Sequence, residues 1–307
     1  VFHEDAYPQG DGQLAPAASL EGRNLGQDFV YKDGWNMYHG AKLPGFPAHP
    51  HRGFETVTLV NQGWVDHADS LGGEGRYADG DVQWMTAGKG LQHSEMFPLM
   101  HEAKENPLEL FQIWLNLPSK NKLVPPHYKM LWSENVPQLN EPGVEVKIIA
   151  GKLGELTALS PPPDSWAADD NNQVAILTIE LEENCQWTLP ACEAGINRSL
   201  YFYKGSQLNV AGEVLNNACA IELGHQPVLL SSGDQPVSLL LLQGRPINEP
   251  IAQMGPFVMN NDEELRQAVQ DYQQDQFGGW SWTSKEPNHG VYVGRYARYL
   301  DGKDETP

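Results

Sequence analysis

The sequence predicts an all-β protein of two similar modules in tandem, each a sandwich or barrel of short antiparallel strands. Three observations lead there. Runs with strand character recur at Glu55–Val60, Val82–Thr86, Phe111–Leu117, Val144–Ala150, Val174–Leu181, Leu200–Lys204, Ala218–Leu223 and Val237–Gln243. Turns rich in Gly, Pro, Asn and Asp separate them, in a chain with 30 glycines and 23 prolines; regular short strands punctuated this way fit a sandwich or barrel. A strand–turn–strand pattern at Thr58–Val65 is echoed at Tyr201–Leu208, which suggests a repeated module.

At 307 residues the chain exceeds what one hydrophobic core usually organises. Pro125-Pro126 and Glu141-Pro142-Gly143 bracket a junction, giving segments 1–135 and 136–260, followed by a helix and tail over 261–307. The helix is signalled by Asn261 as cap with Glu264 three residues on. Leu265, Ala268, Val269 and Tyr272 form its apolar stripe, and Gly278-Gly279 are expected to stop it. The aromatic-rich tail after Trp280 is expected on the surface of the fold or of a partner chain.

Twenty Lys+Arg stand against 40 Asp+Glu, a net charge of -20. Such a chain repels phosphate backbones and anionic lipid, so direct binding to nucleic acid or a membrane surface is not expected. No apolar run reaches the roughly 20 residues of a spanning helix, and no basic-then-apolar leader opens the sequence. Three cysteines, Cys185, Cys192 and Cys219, read as small apolar residues in a reducing, cytoplasmic setting.

The chemistry is concentrated in two segments. In His49-Pro50-His51 the alternation of a strand puts both imidazoles on one face. Alone, this spacing is a weak motif that more often marks two exposed loop histidines. The second segment, Gly80 to Glu95, reads as a strand, a Gly88-Lys89-Gly90 turn and a returning strand that carries His93 and Glu95 on one face. Two hairpin arms could therefore aim three imidazoles and one carboxylate at a point. That donor set suits a divalent first-row metal: Fe, Mn, Ni, Cu or Zn. Glu55, four residues after His51, has matching parity if the strand is regular, so spacing does not choose between Glu55 and Glu95. The alternative role for Glu55 is to orient a ligand histidine through its other nitrogen. Phe46, Trp84, Met85, Phe97 and Trp114 lie near these motifs and could wall a slot for a flat substrate, although ordinary barrel core accounts for each.

These residues resemble the pirin family of the cupin superfamily. The resemblance is carried by His49-Pro50-His51-Arg52-Gly53-Phe54-Glu55-Thr56, by Asp81 to Glu95, by Gln112-Ile113-Trp114-Leu115-Asn116-Leu117 and by Gly255-Pro256-Phe257-Val258-Met259-Asn260, and it spans residues 28–280. It implies two tandem cupin (jelly-roll) barrels with the C-terminal helix packed back. It also implies one Fe(II)-type site, in the first barrel only, with His49, His51, His93 and Glu95 as ligands. The activity it implies is a quercetin 2,3-dioxygenase type, in which O₂ cleaves a flavonol; a nearby carboxylate would take the flavonol proton, Glu95 if it can swing off the metal, with Glu55 as the other candidate. Regulatory members imply the other reading, an iron-dependent element that modulates a partner protein. The second module has His225 as its one histidine between Val144 and Pro250, so no metal site of the first kind is expected there.

Overall fold

The computed structural model describes residues 1–307. The chain divides into two compact units, 1–134 with 249–307, and 135–248. The helix and tail over 261–307 therefore belong, together with residues 249–260, to the first unit.

The first unit is a jelly-roll of two facing sheets. Its strands are β1 (Phe2–Tyr7), β2 (Gly45–His51), β3 (Phe54–Gln62), β4 (Trp64–Asp69), β5 (Glu74–Ala78), β6 (Val82–Thr86), β7 (Leu91–Met96), β8 (Asn106–Asn116) and β9 (His127–Leu131). One sheet runs β1-β8-β3-β6-β9. The other runs β2-β7-β4-β5 and is extended by the tail strands Tyr296–Arg298 and Asp304–Glu305. Between them Val60, Leu110 and Met130 of the first sheet meet Val65 and Tyr77 of the second in one apolar cluster. Each of these side chains is nearly or fully buried, worth about 1.5–3 kcal/mol apiece. The β1 and β2 strands are edges, and the seam between them is bridged by Tyr38, which bonds Asp5 of β1 and pairs with Gly45 of β2.

The second unit repeats the plan. A six-stranded sheet orders Gln138–Glu141, Val144–Ala150, Ala175–Leu181, Val237–Gly244, Asn197–Lys204 and Cys219–Leu223. A four-stranded sheet, Gln186–Leu189, Val228–Ser232, Leu208–Val210 and Glu213–Leu215, completes it. Its main apolar cluster is built on Ile148, Leu177, Ile179, Leu200, Phe202, Leu230 and Leu239. This unit holds no cluster of metal-ligating side chains, and His225 is exposed.

Helix α1 (Asp262–Asp275) starts where its cap predicts: the Asn261 side chain accepts the Glu264 N–H at 2.9 Å. Leu265 and Ala268 are buried against Phe257 and Met259. It ends at Gln276, which is left-handed at φ 55, two residues before the glycines expected to stop it. The tail is docked rather than loose. Tyr296–Arg298 pairs with β5, and Arg76 grips the Gly290 and Val293 carbonyls while forming a buried two-point pair with Asp66 at 2.6 and 2.7 Å.

Lys122 ties the 249–260 segment to the barrel. Its buried ammonium donates to the carbonyls of Gly53 and Val258, both at 2.9 Å, and to Asn116 Oδ1 at 2.7 Å. Lys122→Met takes this donor from two buried carbonyls and the half-buried Asn116 Oδ1, so it should destabilise the fold by about 3 kcal/mol. Denaturant unfolding of the variant measures this, and a midpoint equal to that of the native chain would contradict the clamp.

Candidate metal centre

The β2 and β7 strands are antiparallel and set His49 opposite His93. A register shift between Phe46 and His49 bends β2, so that His49 and His51 both turn toward β7. The three ring centroids stand 4.5 Å (His49–His93), 4.8 Å (His49–His51) and 4.8 Å (His51–His93) apart. One ligand atom from each of the three lies within 4.8 Å of the others, close enough to hold a single metal ion. His49 Nδ1 is 2.9 Å from the Pro47 carbonyl and donates to it, which leaves the Nε2 lone pair for a ligand.

The fit to a cation is chemical as well as geometric. Both nitrogens of His51 and of His93 are buried without a hydrogen-bond partner. Polar atoms orphaned in this way are costly, and a metal would satisfy one on each ring. Burial pushes the His49 pKa down to about 4 and holds those of His51 and His93 well below the ordinary value. The imidazoles are thus neutral, the state in which they ligate.

Glu95 lies on the same face of β7 as His93, with Oε2 3.8 Å from His93 Nε2. Thr58 Oγ1 donates to its Oε1 at 3.0 Å and Gln112 Nε2 to its Oε2 at 2.6 Å. Burial raises the Glu95 pKa, and His67, Thr58 and Gln112 pull it back. Trp114 Nε1 donates to Gln112 Oε1 at 3.1 Å, so a hydrogen-bonded chain runs from a solvent-exposed Trp to the buried carboxylate.

Glu55 corrects the parity argument. Strand β2 ends at His51, and Gly53, at φ +85, turns the chain before β3 begins. A side chain at Gly53 would strike the Val258 carbonyl, so only glycine makes this turn. Across antiparallel neighbours, paired residues share a face. Thr56 and Thr58 pair with Met85 and Gln83 on one side and with Trp114 and Gln112 on the other, which is the face that reaches Glu95. Glu55 pairs with Thr86 and Val57 with Trp84, on the opposite face. There Thr86 Oγ1 donates to Glu55 at 2.7 Å. Glu55 and Trp84 are therefore turned away from the histidines.

The remaining slot residues divide. Trp114 is 41% exposed and 5.6 Å from the His51 ring, and Phe46 is 6.4 Å from the His49 ring. Met85 is fully buried on the histidine-facing side of β6, and Phe97 is core, edge-on to Tyr38 and Phe46. The sequence reading missed His67. It sits on β4 opposite Glu95, fully buried, stacked on Tyr128 at 4.8 Å and 5.5 Å from His93. The alternation Val65-His67-Asp69 was the available signal.

The family model for pirin matches residues 14–115, and that for the pirin C-terminal cupin domain matches 176–278. A protein of Pseudomonas aeruginosa, whose name gives quercetin 2,3-dioxygenase as a provisional activity, is 39% identical over 240 residues, covering 75% of this chain and 79% of that protein. Pirin-1 of Arabidopsis thaliana is also 39% identical over 240 residues, covering 75% and 77%. A crystal structure of quercetin 2,3-dioxygenase from Acinetobacter baumannii superposes with a TM-score of 0.69 at 33% identity, over 78% of this chain and 81% of that one. With both barrels matched in sequence and in shape, this chain belongs to the pirin family.

Proposed function

We propose that this protein is a metal-dependent dioxygenase that opens quercetin-type flavonols with O₂. His49, His51, His93 and Glu95 would be the metal ligands, and Fe(II) the metal. The observation that carries the reading is the convergence of three neutral imidazoles beside a hydrogen-bonded, partly desolvated carboxylate. Relatives named for quercetin dioxygenase support the choice of substrate class.

Bound there, the metal supplies Lewis acidity toward the chelating hydroxyl and a redox centre for O₂. The chain's own residues do the rest. His49 is held in one tautomer by Pro47. Glu95, on swinging off the metal, is the carboxylate that takes the flavonol proton. Thr58 and Gln112 fix the direction of its lone pairs. Phe46 and Trp114 flank the seam as apolar walls, and buried Met85 keeps water from the interior side.

Iron-loaded protein should consume O₂ with quercetin and release CO, both faster than an equal concentration of free Fe(II). Gas uptake measured with a CO trap decides this. Rates no greater than those of free iron would reject the dioxygenase.

A further inference from the structure

A second polar arrangement lies at the seam, outside the metal ligands, on the N-terminal strand. Asp5, Tyr38 and His3 are linked in series. Asp5 Oδ1 accepts the Asn36 N–H at 2.8 Å and Oδ2 accepts the Tyr38 hydroxyl at 2.7 Å. His3 Nδ1 is 2.9 Å from the same Tyr38 oxygen. The Tyr38 proton is committed to Asp5, so its oxygen accepts from His3 Nδ1–H. The relay therefore fixes the His3 tautomer and leaves Nε2 with a lone pair.

The placement is toward the site. On β1, His3 and Asp5 pair with Leu110 and Leu108 of β8, and Val1 stands opposite Gln112, the donor to Glu95. These side chains thus share the inward face with the metal-facing carboxylate. The His3 ring is 5.6 Å from Phe46, and Phe46 in turn contacts His49, so one phenyl ring separates the two imidazoles. Phe46 is stacked on Tyr38 at 5.1 Å. His3 is half-buried, at the open edge of the sheet, and not sealed in the core. Asp5 and Tyr38 already satisfy one another, so the fold does not require His3 to complete the network.

We propose that His3 Nε2 is an anchor for the far end of an aromatic substrate, accepting a hydrogen bond from a phenolic hydroxyl remote from the metal-chelating group. The inference rests on the flavonol reading above and specifies which flavonols the site prefers: those hydroxylated away from the chelating end. Burial lowers the His3 pKa to about 4, which keeps the acceptor nitrogen unprotonated at neutral pH.

The test is anaerobic titration of the iron-loaded protein with two probes, quercetin and 3-hydroxyflavone, which shares the chelating end but carries no other hydroxyl. His3→Leu should weaken quercetin about 5- to 10-fold, the worth of one hydrogen bond, and leave 3-hydroxyflavone within about twofold. His3→Gln, which keeps an acceptor, should restore part of the difference. Tyr38→Phe keeps the ring stack but frees the tautomer, so it should show the same selective loss; it reads the relay if His3→Leu does not fold. Iron content should equal that of the native chain throughout. Equal losses for both probes, or none, overturn the anchor while leaving the flavonol reading standing. Native protein that binds neither probe overturns both.

Discussion

His93→Ala should bind a divalent metal on the order of 100-fold or more weakly than the native chain, and it should lose the thermal stabilisation that metal confers. The cause is the geometry at β2 and β7. Removing one of three converging imidazoles leaves two beside Glu95, the proposed fourth ligand, and no further histidine is grouped with them. His67 is the nearest replacement, but its ring is stacked on Tyr128 and lies 5.5 Å from the position His93 occupies. In the native chain, a ligand at 100 times its dissociation constant stabilises by about 2.7 kcal/mol, which is on the order of 5–10 °C in Tm for a domain of this size. The variant should show no such shift. Its metal-free form should stay folded, because the substitution removes two orphaned buried nitrogens along with the ring and the apolar cluster around Val60 and Leu110 is untouched. Thermal melts with and without metal, beside elemental analysis, give the answer. A native-like Tm shift in the variant would refute the ligand assignment.

The two carboxylates should separate cleanly. Glu95→Gln should lower flavonol turnover by about 10²- to 10⁴-fold, the usual contribution of a positioned base. The amide keeps most of the shape but cannot take a proton, and it also weakens the metal. Glu55→Gln should leave turnover within about threefold. Its side chain faces away from the histidines and is bonded to Thr86, so its loss registers as stability, by about 1 kcal/mol. Steady-state rates and melting curves on the pair of variants distinguish the roles. A Glu55→Gln protein as slow as Glu95→Gln would mean that the turn at Gly53 does not segregate the two faces as described.

Much of this was readable in one dimension. The i, i+2 spacing of His49 and His51 and of His93 and Glu95 already put each pair on one strand face, but the Gly88-Lys89-Gly90 turn, read as the bend of a hairpin, instead carries the chain from β6 in one sheet to β7 in the other. Strand alternation is a local rule and holds within a strand. It failed at Glu55, where parity was carried through Arg52-Gly53 as though β2 and β3 were continuous. A left-handed glycine resets which face the next residue takes, and spacing does not register that. The aromatic tail was a surface expectation without an address. Its dock is set by Arg76, Asp66 and the free edge of β5, which lie more than 200 positions away in sequence.

The sequence by itself determined the class of strands, the capped helix and the identities of the grouped histidines. Only the tertiary structure decided that Glu95 and not Glu55 faces them, that His67 is a buried neighbour, and that His3, Tyr38 and Asp5 form a relay at the seam. The physical reason is range. Alternation, capping and turn preference act over a few residues, whereas each of these outcomes depends on which distant strand pairs with which, and in what register.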